Sequence, residues 1–280
     1  MESLVTTEWL AGELGASDLR VVDATWHLDK GRDASADYEA GHIPGAVFMD
    51  LADLADPNTE LPMMLPSPER FASRMQSLGL GDGSRVVVYD SSDLHTSARA
   101  WWMLRVFGTH QVAILDGGLA KWRAEGREVA TGREQLRHRH FTPFFDPKGV
   151  RSLDEMRALL DTKAEQIVDA RGTSRFEGRE AEPRLGVHPG HMPGAKNLPM
   201  GELFNADGTW KAKDDLRAAF ERAGVDPMQP IAATCGSGIT AATVAFAAHL
   251  LGNDSVAIYD GSWSEWGAAA DTPKEIGAAA

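Results

Sequence analysis

The stretch IAATCGSGITAATVAFAAHL, residues 231 to 250, decides the fold class. It opens with a short apolar run that is typical of a buried parallel strand, passes through a glycine-containing loop, and ends in an Ala-, Thr- and Val-rich run with helical spacing. A strand that leads through a tight loop into a helix is the building unit of an α/β fold. The loop begins with Cys235, the single cysteine of the 280 residues.

The same series of motifs occurs twice along the chain. Four pairs of segments correspond in the same order, at separations of 144 to 149 residues. The pairs are VVDATW at 21 to 26 with IVDARG at 167 to 172, GHIPGA at 41 to 46 with GHMPGA at 190 to 195, RVVVYD ending at Asp90 with PIAATC ending at Cys235, and ILDGGLAKW from Ile114 with IYDGSWSEW from Ile258. Constant order and spacing indicate a tandem duplication, in which Asp90 of the first copy stands where the second has Cys235.

Each copy alternates predicted strands with predicted helices. Short apolar, β-branched runs predict buried parallel strands: LRVVDA, SRVVVYD and QVAILD, then QIVDA, PIAATC and SVAIYD. The segments SPERFASRMQSLG, SARAWWMLRVFG, SLDEMRALLDTK and KDDLRAAFERAG predict helices, with Gly79, Gly108 and Gly224 at helix ends. We therefore predict an α/β protein of two tandem domains, each a parallel sheet flanked by helices.

The domain boundaries follow from these patterns. We predict a first domain over residues 1 to 126, which lacks the cysteine, and a second domain over residues 151 to 280, which contains it. Residues 127 to 150 have no sustained period and contain two prolines, so they are predicted to form a linker. The RHRH cluster at 137 to 140 is interpreted as a solvated part of that linker instead of a basic binding patch.

Composition narrows the functions that the chain can have. With 41 acidic and 28 basic residues, the net charge of -13 opposes binding to nucleic acid and to anionic lipid. The residues after Met1 do not resemble a standard export signal, and no run of about 18 apolar residues predicts a membrane span. One cysteine cannot form an internal disulfide, which fits a reducing cytoplasm.

The position of Cys235 indicates chemistry. Active sites of open parallel sheets form beyond the carboxyl ends of the strands. Gly236 and Gly238 allow successive backbone N–H groups to turn toward one point, and a helix starting near Thr240 directs its positive end there. Such surroundings favour the thiolate, so Cys235 is a candidate nucleophile. The alternative is that Cys235 is a small buried apolar residue.

These residues also resemble a known family. CGSGIT at 235 to 240 resembles the six-residue active loop of the rhodanese superfamily, in the CGSGVT form of its 3-mercaptopyruvate sulfurtransferases, with Ile239 in place of valine. Both GH(I/M)PGA segments, YDGSWSEW, WWMLRVFG, LDGGLAKW and RFEGREAEPRLG are similar to the same branch, and the similarity covers nearly all of the chain. The resemblance implies two rhodanese-like domains, of which the second is catalytic.

The resemblance also implies substrate-binding arginines. In the family, the arginine before Phe and the arginine of an EPR segment contact the carboxylate and keto oxygens of the substrate, and Arg175 and Arg184 match these positions. The chemistry supports the assignment, because a guanidinium group forks onto adjacent oxygens and stabilises charge that develops on a keto oxygen. The alternative is that these arginines are solvated or pair with Glu177, Glu180 or Glu182.

The resulting mechanism is sulfur transfer without a metal or an organic cofactor. The Cys235 thiolate attacks the sulfur of 3-mercaptopyruvate, the backbone N–H groups from Gly236 through Ser237, Gly238 and Ile239 to Thr240 surround the transferred sulfur, and pyruvate leaves. A thiol such as reduced thioredoxin, or cyanide, then removes the outer sulfur from the cysteine persulfide.

One part of the family's pattern is missing. Members of this branch often have a His before an ML pair, proposed to act with the loop serine and an acidic residue, but this chain has Met63 there, in LPMMLP. Ala52 or Asp53 aligns with the acid. Ser237 is present and is expected to hydrogen-bond the substrate sulfur directly or through water. His95 is a substitute only if its loop approaches the cleft between the domains.

Other signals are weaker. His188 and His191 have a spacing that a metal could use, but the sequence shows no third ligand nearby, so a loop role is preferred. Asp90 marks a lost active site and not a second one.

Three rival functions remain open at this point. A thiosulfate sulfurtransferase would have basic residues inside the loop. A related phosphatase would need Arg six places after the cysteine, where this chain has Ala241. A non-enzymatic rhodanese-like sulfur carrier or binding module would have had no need to retain the thiol, the glycines and both arginines together.

Overall fold

The computed structural model of the protein describes residues 1 to 134 and 137 to 279. Gln135 and Leu136, which belong to the predicted linker, and Ala280, the last residue of the predicted second domain, lie outside the described residues. The chain forms two compact units. The first comprises residues 1–56, 65–146 and 205–210, and the second comprises residues 57–64, 147–204 and 211–280.

The described part of the first unit contains a five-stranded sheet in which all strands are parallel. The strand order is β1-β5-β4-β2-β3, so β4 is central. The elements are β1 (Leu4–Val5), α1 (Thr7–Glu13), β2 (Leu19–Asp23), α2 (Ala34–Ala40), β3 (Ala46–Phe48), α3 (Leu51–Leu54), α4 (Pro68–Ser77), β4 (Arg85–Tyr89), α5 (Ser97–Val106), β5 (Val112–Leu115) and α6 (Gly118–Ala124).

The second unit has the same architecture. Its parallel sheet has the order β6-β10-β9-β7-β8, which is the order of the first sheet one copy later, with β9 central. Its elements are β6 (Val150–Arg151), α7 (Leu153–Thr162), β7 (Gln166–Asp169), α8 (Thr173–Phe176), β8 (Lys196–Asn197), α9 (Lys213–Arg222), β9 (Ile231–Thr234), α10 (Ala241–Leu250), β10 (Val256–Tyr259) and α11 (Ser262–Trp266), with 3₁₀ turns at Pro147–Gly149 and Met200–Leu203. The predicted duplication of an α/β fold is confirmed.

Local sequence signals explain where these helices begin and end. Ser152 and Glu155 form a reciprocal capping box at the start of α7, which satisfies backbone N–H groups that have no partner inside the helix. Gly79, Gly108 and Gly224 follow α4, α5 and α9 with φ angles of 67°, 95° and 71°. Glycine adopts this left-handed conformation without the steric cost that a Cβ atom imposes, so the predicted helix ends are confirmed.

The centre of the second unit is apolar on every side. All four residues of β9 are buried, and so are the first eight residues of α10. A helix that is apolar all round belongs in the interior, and α10 packs against β9 and β10. The buried pair of β9 and α10 fixes the ends of the loop between them, which contains Cys235.

Much of the segment predicted as a linker lies within the first unit. The His140 carbonyl accepts a hydrogen bond from the Asp82 N–H at 2.9 Å, and the Phe144 N–H donates to the Phe107 carbonyl at 3.0 Å. The Thr142 N–H donates to the Asp82 carboxylate at 2.8 Å. These contacts attach the described residues up to Asp146 to the first unit, while the exact domain boundaries stay a prediction.

Two further observations concern what the chain could bind or cross. No helix in the described residues is long and apolar enough to cross a bilayer. Over the same residues, no group of three His, Cys, Asp or Glu side chains is arranged to hold a metal ion. His191 is buried, stacks on the Phe176 ring with centroids 3.9 Å apart, and bonds the Phe176 carbonyl through Nδ1, so it has the loop role that the sequence favours.

Candidate active site

Cys235 lies directly after the central strand β9, at the carboxyl edge of the second sheet. The residue is a free cysteine and is 1% exposed. The next five residues curve from this point to the start of α10. Gly238 within them has a φ of 76°, a conformation that glycine accepts readily. The loop thus lies between β9 and α10, with Cys235 at its first position.

Residues 262 to 264 anchor the first part of this loop. The Cys235 N–H donates to Ser262 Oγ at 3.2 Å. The Trp263 N–H donates to the Cys235 carbonyl at 2.9 Å, and the Ser264 N–H donates to the Gly236 carbonyl at 3.0 Å. Three consecutive residues at the start of α11 therefore hold the backbone of the candidate nucleophile.

Several backbone amides of the loop are available to a ligand. Within the described chain, the N–H groups of Gly236, Ser237, Ile239 and Thr240 donate to no protein acceptor. Successive amides around one concave point, next to the positive end of a ten-residue helix, bind an anion well. This loop can therefore stabilise a thiolate or a persulfide anion at Cys235.

Arg175 lies beside this loop. Its Nη1 and Nη2 atoms are 3.7 Å and 3.4 Å from the position that a Cβ atom would take on Gly236. Nη2 also forms an ion pair with the Glu182 carboxylate at 2.5 Å. The Nε atom is buried and has no hydrogen-bond partner. The pairing with Glu182 that the sequence left open is real, yet it leaves donors of Arg175 free for substrate oxygens.

Arg184 is joined to the same loop through Ser264. Its Nη1 atom donates to Ser264 Oγ at 3.0 Å, and that hydroxyl donates to the Gly236 carbonyl at 2.5 Å. Burial and the neighbouring Arg175 cation lower the pKa of the Arg184 guanidinium. An anionic ligand beside Arg184 would offset both of these unfavourable effects on its charged form.

Arg171 is a further charged residue beside the candidate site, and the sequence reasoning did not single it out. Its guanidinium is 1% exposed, pairs with the Asp169 carboxylate at 2.7 Å and with Glu182 at 2.8 Å, and lies 4.5 Å from the Trp263 ring centroid. Burial acts to lower the pKa of Arg171, but the nearby anions, Asp169 above all, outweigh it and raise that pKa. A comparison of the two copies could have identified Arg171, because the first copy has DAT at 23 to 25 where the second has DAR at 169 to 171.

Two charged residues of the site, Glu182 and Arg184, belong to an insertion in the second copy. Two residues separate Tyr38 from Gly41 in the first copy, whereas thirteen residues, 177 to 189, separate Phe176 from Gly190. In both copies the aromatic ring stacks on the histidine that follows the glycine. The extra residues of the second copy include Glu182 and Arg184. Features shared by both copies therefore belong to the common fold, whereas these two residues occur only in the copy that has the cysteine.

The first unit places a carboxylate where the second has the thiol. Asp90 follows the central strand β4 and is 8% exposed. Its Oδ1 and Oδ2 atoms accept the backbone N–H groups of Ser92 at 2.9 Å and Ser97 at 2.8 Å. In the first unit, backbone N–H groups of the loop after β4 therefore already bond to a carboxylate of the protein itself, that of Asp90.

The other residues considered in the sequence lie as follows. Asp53 forms an ion pair with Arg74 at 2.8 Å, and Ala52 is its neighbour in α3. Met63 has a φ of 58° and belongs to the short segment, 57–64, of the second unit. His95 belongs to the first unit, where burial lowers its pKa. His188 is exposed.

Comparison with known proteins agrees with this fold. The rhodanese-like domain family matches residues 6–125 and 152–269. The chain therefore belongs to the rhodanese family.

Individual relatives cover almost the whole chain. The human 3-mercaptopyruvate sulfurtransferase is 41% identical over 94% of this chain and 91% of its own length. A thiosulfate sulfurtransferase of Cricetulus griseus is 40% identical over the same shares. The crystal structure of SseA from Escherichia coli, described as a 3-mercaptopyruvate sulfotransferase, superposes with a TM-score of 0.86 at 38% identity, over 94% of this chain and 99% of that one.

Proposed function

We propose that this protein is a 3-mercaptopyruvate sulfurtransferase that works through a persulfide on Cys235. The observation that carries the proposal is the position of Arg175, whose guanidinium lies 3.4 Å from the Cβ position of Gly236 with a buried, unpartnered Nε. A cation beside an uncharged loop suits a donor whose negative charge is separated from its sulfur. In 3-mercaptopyruvate, two carbon atoms lie between the sulfur and the carboxylate.

The first half-reaction forms the persulfide. The Cys235 thiolate attacks the donor sulfur, the new S–S bond forms, and the bond between that sulfur and C3 breaks. The electron pair of the broken bond passes into the enolate of pyruvate, where Arg175 and Arg184 stabilise the developing oxygen charge. The enolate then takes a proton at C3. The N–H groups of residues 236 to 240 surround the outer sulfur, with Gly238 and Ile239 shaping the loop.

The second half-reaction returns the enzyme to its thiolate. A thiolate acceptor, such as reduced thioredoxin or a small dithiol, or cyanide, attacks the outer sulfur, and the S–S bond breaks toward Cys235. Each step only shifts electron pairs among the donor, the Cys235 sulfur and the acceptor, so the proposed cycle needs neither a metal nor an organic cofactor. We place the enzyme in the cytoplasm, because a lone catalytic thiol must stay reduced.

We propose that the Ser237 hydroxyl donates a hydrogen bond to the sulfur of the donor. Its hydroxyl is only partly buried, stands two residues after Cys235, and has no recorded bond within the described residues. It can donate to the donor sulfur as the C–S bond breaks. We propose no full Ser–His–acid relay, because Met63 stands where the family often has histidine.

Thiosulfate is the second candidate donor, because one relative of 40% identity is named for it. It is a dianion whose sulfite group would lie close to the loop, where Gly236 and Ser237 supply no positive charge. The rival is therefore a donor preference of the same persulfide chemistry.

Intact-mass measurement tests the proposal. The purified protein, freed of bound sulfur with cyanide, is mixed with 3-mercaptopyruvate or thiosulfate and weighed. We expect a gain of one sulfur atom with mercaptopyruvate, release of one pyruvate, and loss of the added mass on treatment with cyanide. The Cys235→Ser protein is the control. Pyruvate release without any mass gain in the wild-type protein would overturn the persulfide route.

A further inference from the structure

Ser262 has a backbone conformation that serine rarely adopts. Its φ is 50°, and the residue is completely buried. A side chain in the left-handed region is strained because its Cβ atom approaches the backbone, and such strain persists only where surrounding contacts maintain it. The Gly118 residue at the matching place of the first copy has a φ of 54° and avoids this cost.

The hydroxyl of Ser262 both donates and accepts a hydrogen bond. Its hydrogen donates to the Tyr259 carbonyl at 2.8 Å, and its oxygen accepts the Cys235 N–H at 3.2 Å. Because a hydroxyl has one hydrogen, the bond to Tyr259 leaves Oγ only as an acceptor toward Cys235. The strained residue therefore makes one specific bond to the backbone of the candidate nucleophile.

The first copy shows the same framework without this bond. There the Leu119 N–H donates to the Asp90 carbonyl at 3.2 Å, as the Trp263 N–H does to the Cys235 carbonyl. A Cβ atom added to Gly118 would lie 2.4 Å from the Asp90 carbonyl oxygen, so that copy has no room for a side chain. The second copy accommodates Ser262, whose hydroxyl bonds both the Tyr259 carbonyl and the Cys235 N–H.

We propose that Ser262 is a positioning residue for Cys235: it binds the Cys235 amide and fixes that backbone so that the sulfur faces the undonated amides of Gly236, Ser237, Ile239 and Thr240. With the Cys235 N–H bonded to Ser262 Oγ, the backbone that carries the thiolate keeps one conformation before the donor arrives. The proposal deepens the sulfur-transfer function and rests on it. It gives a functional reason for the strained backbone of Ser262, which the first copy avoids by having Gly118 at the matching position.

Two substitutions separate the hydroxyl from the strain. Ser262→Ala removes the hydroxyl and keeps the Cβ atom, whereas Ser262→Gly removes both. Lys163→Gly is the matched control, because Lys163 is an exposed residue with a φ of 50° at the end of α7. Relief of strain alone should raise the melting temperature of the control by roughly 2 to 4 °C.

The measurements are amide hydrogen exchange at Cys235 and steady-state sulfur transfer. In both Ser262 variants we expect Cys235 amide exchange to accelerate by at least about tenfold and kcat to fall about tenfold, the effect of one lost hydrogen bond. KM for 3-mercaptopyruvate should stay unchanged, because the arginines are untouched. Ser262→Gly should melt above Ser262→Ala, and Lys163→Gly should leave both readouts as in the wild type.

The outcomes distinguish this inference from the proposed function. Wild-type exchange at Cys235 in both Ser262 variants, or a loss confined to KM, would overturn the positioning role. If Ser262→Ala does not fold, the strain-free Ser262→Gly protein decides alone. If the wild-type protein transfers no sulfur, the proposed function fails, while exchange at Cys235 still shows whether Ser262 holds the amide.

Discussion

The guanidinium of Arg175 lies 3.4 Å from the position of a Cβ atom on Gly236, the residue directly after the candidate nucleophile. This relationship joins the two parts of the site, since Arg175 belongs to α8 and Gly236 to the loop after β9. This distance is an ordinary van der Waals separation, so the guanidinium lies beside the loop at this residue. The positive charge of the site is therefore beside the loop and not within it.

The nucleophile gives the first prediction. Cys235→Ser should abolish sulfur transfer and leave the melting temperature close to that of the wild type, because the hydroxyl fits the loop but is far less nucleophilic at neutral pH. Turnover and thermal unfolding are measured on the same preparation. Retention of turnover by the variant would remove Cys235 from the mechanism.

The arginines give the second prediction. Arg175→Ala and Arg184→Ala should each weaken transition-state binding of 3-mercaptopyruvate by about 2 to 5 kcal/mol in kcat/KM, since each removes a partly desolvated cation. Sulfur donation from inorganic polysulfide, which has no carboxylate, should suffer less. Arg179→Ala is the control, because the Arg179 side chain is 64% exposed. Equal losses with both donors would assign the arginines to loop structure instead.

Glu182 gives the third prediction. Its side chain is 4% exposed and bonds Arg171 at 2.8 Å and Arg175 at 2.5 Å. Glu182→Gln keeps the shape of the side chain but loses the charge that orients both arginines. The transition-state stabilisation calculated from kcat/KM for 3-mercaptopyruvate should therefore fall by about 1 to 3 kcal/mol. Glu180→Gln, at an exposed residue of the same insertion, should have no effect on kcat/KM. Wild-type kinetics in the Glu182 variant would show that Arg175 is held by other contacts.

Donor preference gives the fourth prediction. The kcat/KM for 3-mercaptopyruvate should exceed that for thiosulfate by at least roughly tenfold, which corresponds to about 1.4 kcal/mol of differential stabilisation. The double variant Gly236→Arg with Ser237→Lys should move the ratio toward thiosulfate, and it should lose activity with mercaptopyruvate because the new cation at 236 lies next to the Arg175 guanidinium and repels it. Side-by-side assays in which the unmodified protein prefers thiosulfate would refute the assigned donor.

The first unit gives a prediction about pH. A hydrogen bond from the Thr7 hydroxyl at 2.6 Å, with Arg127 and Lys121, lowers the pKa of Glu125 to about 2. Because the folded pKa lies below the unfolded one, the stabilisation by Glu125 is complete above about pH 4.5 and disappears as the pH falls toward 2. Glu125→Gln should thus lower stability at pH 7 and approach the wild type in acid.

Urea unfolding of both proteins between pH 7 and pH 3 measures this effect. Glu2→Gln, at an exposed residue of the same unit, serves as the control. A stability difference that stays constant across this range would mean that Glu125 acts by packing and not by charge.

Most of the scaffold was predictable from the sequence. Buried parallel strands are runs of apolar residues, and glycines mark helix ends, so the six longer strands, the four quoted helices and the place of Cys235 after β9 follow from local patterns. The edge strands β1, β6 and β8 have two residues each and β3 has three. Segments this short have no period, and only their neighbours in the sheet make them strands.

The site depended more on tertiary structure. The sequence determined the thiol, the glycine loop and the two arginines, because residue type and local order decide what chemistry is available. It did not determine that Arg171 and Glu182 link Asp169 to Arg175, nor that Ser262 holds the Cys235 amide. Ser262 and Cys235 are 27 positions apart, and the Arg171, Glu182 and Arg175 side chains meet across an irregular segment that has no sequence period. The energy of these contacts depends on burial and distance, which exist only after the strands have paired and the loop has closed.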